Sequence, residues 1–373
     1  MATYKVFLYN VLTQNVITEI PFAALSYSYV MDEPGTAEIE IPMTALKTDG
    51  NPLTPDDVFP VRTGIAIQRD SELVWGGLLW AYRADLAKRT LSLSAQGYLS
   101  YYRYRHTATA GVKYKNLEQT TMIKNFIDSI AANGIKTLTS GLVATNMVRT
   151  RAWNPYEFKN LAEVFADLAD DITSKDTVTG IYGGGFFFYL EPYWITTGTK
   201  VGNRIRNTAN RHPYSSGKNL QQGVNCEFAD ISVDGTGLAS SAFAVGATDG
   251  TASITPYAAD SNTALSAQIP QVNVVLNETG TKEAVALQYK VRSALAFGSK
   301  PVILPKADTY PDLFSPLALQ PGMSTSVTSD DGFLSLLAEE YVITETAVSV
   351  APDGSDRLSL SLVQADLFKE TEN

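Results

Sequence analysis

The sequence predicts a mainly β protein in which two barrel- or sandwich-like β regions flank a mixed α+β middle. Three observations carry that reading. Charged residues are only 18% of the 373, against a typical quarter, while hydrophobic residues reach 45% and aromatics 10%. Short apolar runs separated by turn residues recur closely through the first hundred positions. A turn–strand order near residue 61 is met again near residue 319.

Residues 4–9 and 11–20 read as a hairpin broken at Asn10 and closed by Pro21. Residues 25–31 alternate, 32–35 carry a turn signal, and 37–41 alternate again. After a Pro- and Asp-rich loop at 51–60, strands are expected at 65–69, 73–82 and 90–96. The middle changes period. Asn116, with Gln119 three residues on, reads as a capping box; Leu117, Ile123, Phe126, Ile127 and Ile130 then hold helical spacing, and Gly134 supplies a stop. A second helix is expected over 157–171, with Leu161, Val164, Phe165 and Leu168 on one face. Residues 184–190 form an apolar strand, and 197–222 read as an exposed polar loop. Strands resume at 227–233 and 241–246, a capped helix is expected from Thr281 through Phe297 to Gly298, and strands at 324–329, 340–350 and 357–363 close the chain. The domain borders read as 1–105, 106–224 and 225–373, the last with its helical insert near 281–298.

The repeat runs deeper than one turn. Val61-Arg62-Thr63-Gly64 leads into a strand, a charged turn, an apolar strand, a second turn and Leu91-Ser92-Leu93-Ser94. Leu319-Gln320-Pro321-Gly322 opens the same order, which ends on Leu358-Ser359-Leu360-Ser361-Leu362. Similar meanders arise by chance, so duplication and coincidence both stand at this point, with the shared Leu-Ser-Leu-Ser favouring duplication.

Residues able to carry chemistry are few. A nucleophilic triad would have to use His106 or His212, and neither lies in a nucleophile context. Cys226 is the single cysteine, so no intrachain disulfide and no zinc spacing exists. Asp170-Asp171 and Asp330-Asp331 lack the spaced oxygens of a calcium loop and read as a helix end and a turn. Glu191, after Phe186-Phe187-Phe188 and near Trp194, is either a perturbed acid for glycoside cleavage or, the favoured reading, part of a buried strand that leaves its sheet at Pro192. Gly183-Gly184-Gly185 has no trailing Lys-Ser/Thr and reads as a tight turn rather than a phosphate loop. No catalytic residue, metal site or cofactor is expected.

A net charge of −10 argues against a general nucleic-acid surface, since phosphate contacts need clustered cations, although an acidic channel would let DNA slide. The N-terminus lacks a signal peptide's apolar core, and no window approaches a membrane span, so the expectation is a protein made and kept soluble in a cytoplasm. Tyr98, Tyr101, Tyr102, Arg103, Tyr104 and Arg105 interleave aromatics with cations. Such residues stack bases or sugars, or anchor protein interfaces; with this net charge the interface reading is preferred.

Four features stand out together: residues 25–42 as strand–turn–strand, the charged turn running into Val74-Trp75-Gly76-Gly77, the 96–105 junction, and the C-terminal Leu-Gln-Pro-Gly and Leu-Ser-Leu-Ser segments. In these segments the chain resembles the minor tail proteins, or tail hubs, of long-tailed bacteriophages, especially those of actinobacteria. The resemblance covers most of the chain but its motifs are short and none is catalytic. It implies two tube-type β-domains around a mixed domain, a homotrimeric hub ring, and a place in the virion at the tail tip. It also implies tail partners (tail tube or distal tail ring, tape measure protein, tip proteins) and DNA only in transit. Two alternatives stay open: a distal tail ring protein, for which a single tube domain is expected, and a receptor-binding or wall-degrading tail protein, which should show a catalytic cluster.

Overall fold

The computed structural model describes residues 2–170, 174–176, 182–183, 185–211, 213–247, 257–278, 284–330, 333 and 335–368. Its first seven strands follow the sequence pattern closely. β1 (Tyr4–Asn10) and β2 (Val16–Ile20) form an antiparallel hairpin, as do β3 (Ala24–Val30) and β4 (Thr36–Pro42). β5 (Thr63–Arg69), β6 (Glu72–Asp85) and β7 (Thr90–Gly97) form a meander. Across the sheet the order is β3-β4-β7-β6-β5-β1-β2.

The middle region begins with the single-turn helix α1 (Leu99–Tyr102) and β8 (Val112–Glu118), followed by α2 (Gln119–Ile130). The cap of α2 is Glu118, whose carboxylate accepts from Thr121 N at 2.9 Å. The expected cap, Asn116, lies within β8 in the left-handed region (φ 49°), and Leu117 is a strand residue. Gly134 does follow the helix, but its backbone is extended rather than left-handed. Its Cβ would sit 2.6 Å from the Tyr101 hydroxyl, so glycine is needed there for close approach and not for capping.

β9 (Thr137–Gly141) and β10 (Met147–Trp153) precede α3 (Leu161–Asp170), which starts four residues after the expected Glu157. Tyr156 and Phe158 are left-handed (φ 63° and 48°), which delays the helix until Asn160 caps it by accepting from Glu163 N at 2.8 Å. β11 (Ser174–Asp176) and β12 (Tyr182–Gly183) extend the β8–β10 sheet. β13 (Phe188–Thr196) pairs with β14 (Lys200–Asn207), which also pairs in parallel with β9.

Two expectations fail here. The apolar strand does not leave its sheet at Pro192; it continues to Thr196, with Pro192 opposite Asn203. β13 is the edge of its sheet, and proline is tolerated where no partner needs its N–H. The expected loop at 197–222 holds β14 and β15 (Tyr214–Gln221). Only Leu220 of β15 is buried, so an exposed edge strand left almost no apolar alternation to read.

β15 pairs in parallel with a strand of the C-terminal part, ahead of the border expected at 225. β16 (Cys226–Asp234) follows, then a small unit of β17 (Ser241–Gly246), β18 (Tyr257–Ser261), α4 (Thr263–Ser266), β19 (Asn273–Glu278) and α5 (Ala284–Phe297). The expected cap at Thr281 lies outside the described residues; the helix ends at Phe297 as expected. β20 (Val302–Thr309), β21 (Met323–Asp330), β22 (Ser335–Val350) and β23 (Asp356–Gln364) complete the fold.

Three cores hold these pieces. The largest joins both ends of the chain, uniting Val6, Leu8, Ile39 and Trp75 with Tyr341, Val348 and Leu360. A second lies between the other face of the first sheet (Phe7, Tyr9, Leu78) and the helices of the middle region. From Val6 to Tyr9 β1 is therefore buried on both faces, which explains that four-residue apolar run. The third belongs to the α5 unit, where Leu287, Val291 and Leu295 cover Ala242 and Ala244.

Candidate assembly surface

The two ends of the chain share one hydrogen-bonding plan. In the N-terminal half Ile39 pairs with Leu93, which pairs with Tyr82; in the C-terminal half Ala307 pairs with Leu360, which pairs with Thr346. The irregularity between Leu79 and Ala81 in β6 matches that between Ile343 and Glu345 in β22. Strands β3 to β7 thus correspond in order to β16, β20, β21, β22 and β23, and within each set of five all neighbours pair antiparallel. Leu91-Ser92-Leu93-Ser94 and Leu358-Ser359-Leu360-Ser361 occupy equivalent positions. Even the entry turns agree: left-handed Val61 and Gly322 donate their N–H groups to Leu79 O (2.7 Å) and Ile343 O (2.8 Å).

One joint makes the two halves a single sheet of thirteen strands. The outer edge of β22 pairs with β3, Thr346 opposite Tyr29 and Val348 opposite Tyr27. Across that joint runs a solvent-facing stripe of short hydroxyls and carboxylates. Ser94 Oγ donates to Glu38 at 2.8 Å, Ser359 Oγ donates to Asp308, and Ser361 Oγ donates to Glu345 at 3.4 Å. On the buried side Asp356, with a fully buried side chain, accepts from Tyr4 OH at 2.6 Å and Arg69 Nε at 2.7 Å, tying C-terminal to N-terminal half.

The aromatic and cationic stretch at the end of β7 divides between core and surface. Tyr98 and Tyr102 are buried: Tyr98 takes a hydrogen bond from Tyr9 OH (2.8 Å), and Tyr102 OH donates to Thr137 Oγ1 (2.7 Å) and packs on Phe165. Burial holds both phenols above their ordinary range. Gly76 of the Val-Trp-Gly-Gly segment makes room for this packing, since a Cβ there would lie 2.5 Å from the Tyr98 hydroxyl. Tyr101 is half-buried beneath Arg105. Arg103 pairs with Glu33 at 3.3 Å, and Tyr104, 65% exposed, stacks on Trp80 with centroids 4.8 Å apart. Of the six interface candidates, Tyr98 and Tyr102 are committed to the interior by their own packing. Sequence carries no signal separating them from Tyr104.

The residues considered for chemistry are dispersed. Glu191 lies mid-strand and pairs with Arg204 (2.6 Å) and Arg206 (3.3 Å), while Trp194 packs edge-on against Phe7. His106 is exposed and bridges to Asn160; His212 lies outside the described residues. Asp170 ends α3 and pairs with Arg211, and Asp330 ends β21; Asp171 and Asp331 lie outside the described residues. Gly185 packs against Arg211, and Gly184 is outside the described residues. Among the described residues no three His, Cys, Asp or Glu side chains gather to hold a metal, and no helix is long and apolar enough to cross a membrane.

A cavity of about 270 Å³ lies where the β3–β4 turn meets β13 and β14, lined by Tyr29, Asp32, Trp75, Glu191 and Arg206 among others. Asp32 accepts from Phe188 N at 3.3 Å and pairs with Arg211. Burial pushes its carboxyl up to about 6 despite the opposing Arg211.

No protein-family model matches the sequence, and no curated protein matches it. Solved structures do match along the whole chain. A 43 kDa tail protein of prophage MuSo2 from Shewanella oneidensis is 10% identical with a TM-score of 0.64, covering 98% of this chain and 99% of that one. A tail protein from Neisseria meningitidis MC58 is 12% identical with a TM-score of 0.64, covering 98% of both. The Escherichia coli c3393 protein, a type VI secretion component described as structurally similar to T4 tail proteins gp27 and gp5, is 10% identical with a TM-score of 0.50. It covers 93% of this chain and 74% of its own. At such identities the likeness establishes the fold, which is the mainly β, multi-sheet architecture of these tail proteins.

Proposed function

We propose that this chain is a non-catalytic structural component of a phage tail, a hub whose three copies close a ring that continues the tail tube and lets DNA pass. The observation that carries the proposal is the duplicated sheet. A tube with sixfold symmetry meets a threefold tip, and a chain holding two like sheets lets three copies present six similar units. Tail proteins with the same fold over their full lengths support the setting. The actinobacterial type implied by the sequence motifs rests on those motifs alone, since the solved structures described above come from other bacteria.

In this reading the chain divides into a first tube-like unit through the end of β7, a mixed middle, and a second tube-like unit that takes in β15. The Glu38–Ser94 and Asp308–Ser359 stripe faces the lumen. Carboxylates and short hydroxyls, on a chain of net charge −10, repel a phosphate backbone and keep it from sticking. Exposed Tyr104 and its neighbours Arg103 and Arg105 face a copy or another tail protein. A distal tail ring fits less well, because one tube unit is expected there. A wall-degrading role fits less well too, because Glu191 is held by two arginines.

The test is to label the chain in assembled particles and image them. Three copies at the tail tip are expected; labelling along the tail shaft or at the head would overturn the proposal.

A further inference from the structure

The joint inside the chain has a counterpart left open. β22 meets β3 along its outer edge; the equivalent edge of β6, from residue 81 to 85, has no strand partner among the described residues. β16, the equivalent of β3, ends the sheet and is unpaired on its outer side from Asp230 to Asp234. Exposure follows that difference. Thr346 is fully buried at the internal joint, while its equivalent Tyr82 is 40% exposed; Tyr29 is partly buried, while its equivalent Val233 is 54% exposed.

We infer that the joint between neighbouring copies repeats the joint within the chain: β6 of one copy pairs antiparallel with β16 of the next, Tyr82 opposite Val233 and Ala84 opposite Ile231. This rests on the ring reading above. The register is transferred by pairing. Leu25 and Phe228 lie opposite equivalent residues of β4 and β20. Past the irregularity at Phe228, Tyr27 corresponds to Ile231 and Tyr29 to Val233. Because Tyr29 meets Thr346 and Tyr27 meets Val348, their equivalents meet Tyr82 and Ala84.

The chemistry of the two edges agrees. Tyr82 and Val233 cover each other's exposed apolar surface. On the opposite face Arg83 lies opposite Ser232 and diagonal to both Asp230 and Asp234, within reach of a cross-strand ion pair. Asp85 falls opposite Asp230, which Lys306 already neighbours on β20. At the internal joint Met31 N–H donates to Thr344 O at 2.9 Å; the corresponding bond runs from Gly235 to Trp80 O, placing the partner's turn beside exposed Tyr104. The two edges are different surfaces of one chain, β16 ending the sheet and β6 running past β5 in the other half, so pairing is head-to-tail and propagates until it closes. Exposed edges of this length are otherwise an aggregation hazard.

Directly opposed cross-strand residues have Cβ atoms close enough for a disulfide. The full-length Tyr82→Cys/Val233→Cys variant is therefore oxidised mildly and run without reductant, alongside sizing of the unmodified chain. Native Cys226 is buried, with its thiol pushed up to about 12, and stays out of the exchange. Covalent trimers are expected, with only dimers when the two single variants are mixed and none from either alone. Tyr82→Cys with Ser232→Cys should yield at least about tenfold less, because adjacent strand residues face opposite sides. A trimer without the crosslink, or with the Ser232 pair favoured, overturns the edge assignment and leaves the ring standing. A crosslinked open filament supports the edges and overturns the ring; a chain that stays monomeric at high concentration overturns both.

Discussion

The N-terminal and C-terminal halves build the same five-stranded plan from sequences that share little beyond Leu-Ser-Leu-Ser, and two of their differences bear on assembly. One is the outer edge of the long strand, covered by β3 in β22 and bare in β6. The other is the connection between the first two equivalent strands. In the N-terminal half it is a short turn at 31–35 whose Asp32 and Glu33 dock on the middle region; in the C-terminal half it carries the α5 unit with its own core. The pattern of pairing is thus what the fold retains, while surface connections are free to serve separate contacts.

The sharpest way to break this comparison is to cut the tie between the halves. Asp356→Ala removes the buried carboxylate to which both Tyr4 OH and Arg69 Nε donate, leaving Arg69 only the exposed Asp70 at 3.4 Å, and a loss of roughly 3–5 kcal/mol is expected from urea unfolding. Because the two ends share one core, the loss should appear in a single transition of both halves. A loss under about 1 kcal/mol, or one confined to the C-terminal half, would mean that the halves are separately stable.

Asp32 tests the short turn. Its ordinary value is 3.8 and its folded value about 6, so between those pH values the folded chain holds a proton that the unfolded chain has released. Stability contributed here is full at low pH and falls as pH rises, by on the order of 3 kcal/mol once pH passes 6. Asp32→Asn should remove that slope; parallel curves for variant and parent between pH 4 and 7 would refute the assignment.

The α5 unit should be dispensable to the sheet. Joining β16 to β20 by a short turn should leave the sheet's unfolding midpoint within about 1 kcal/mol of the parent, since surface connections change length cheaply. Collapse of the fold would show that the unit is part of the main core. The smallest effect concerns the aromatic stretch. Tyr104→Ala should cost no more than about 0.5 kcal/mol of stability, whereas Tyr102→Ala should cost roughly 3–5 kcal/mol by emptying a core site. Equal losses at both positions would contradict the division into surface and core.

Much of the N-terminal sheet was legible because β1 to β7 alternate or run apolar between strong turn residues, and the repeat was legible because equivalent Ser and Leu positions survive in β7 and β23. β15 was not, since an edge strand with one buried side chain has no period to detect. α2 was displaced because Asn116 resembles a cap, while a glutamate that also accepts from Thr145 caps it instead. The candidate surface was half legible: the sequence located the Tyr and Arg cluster at the junction but held nothing to say that Tyr98 and Tyr102 turn inward. The free edge of β6 was invisible, because an unpaired edge is defined by the absence of a partner.

The claim that two like sheets make three copies resemble six is tested most directly by electron cryo-microscopy of the assembled ring. The account predicts three copies of the chain whose inner strands form one continuous wall with near-sixfold repeat, β6 of each copy meeting β16 of the next. Six copies in the ring, or a dimer whose copies meet through the middle regions with both edges bare, would contradict it.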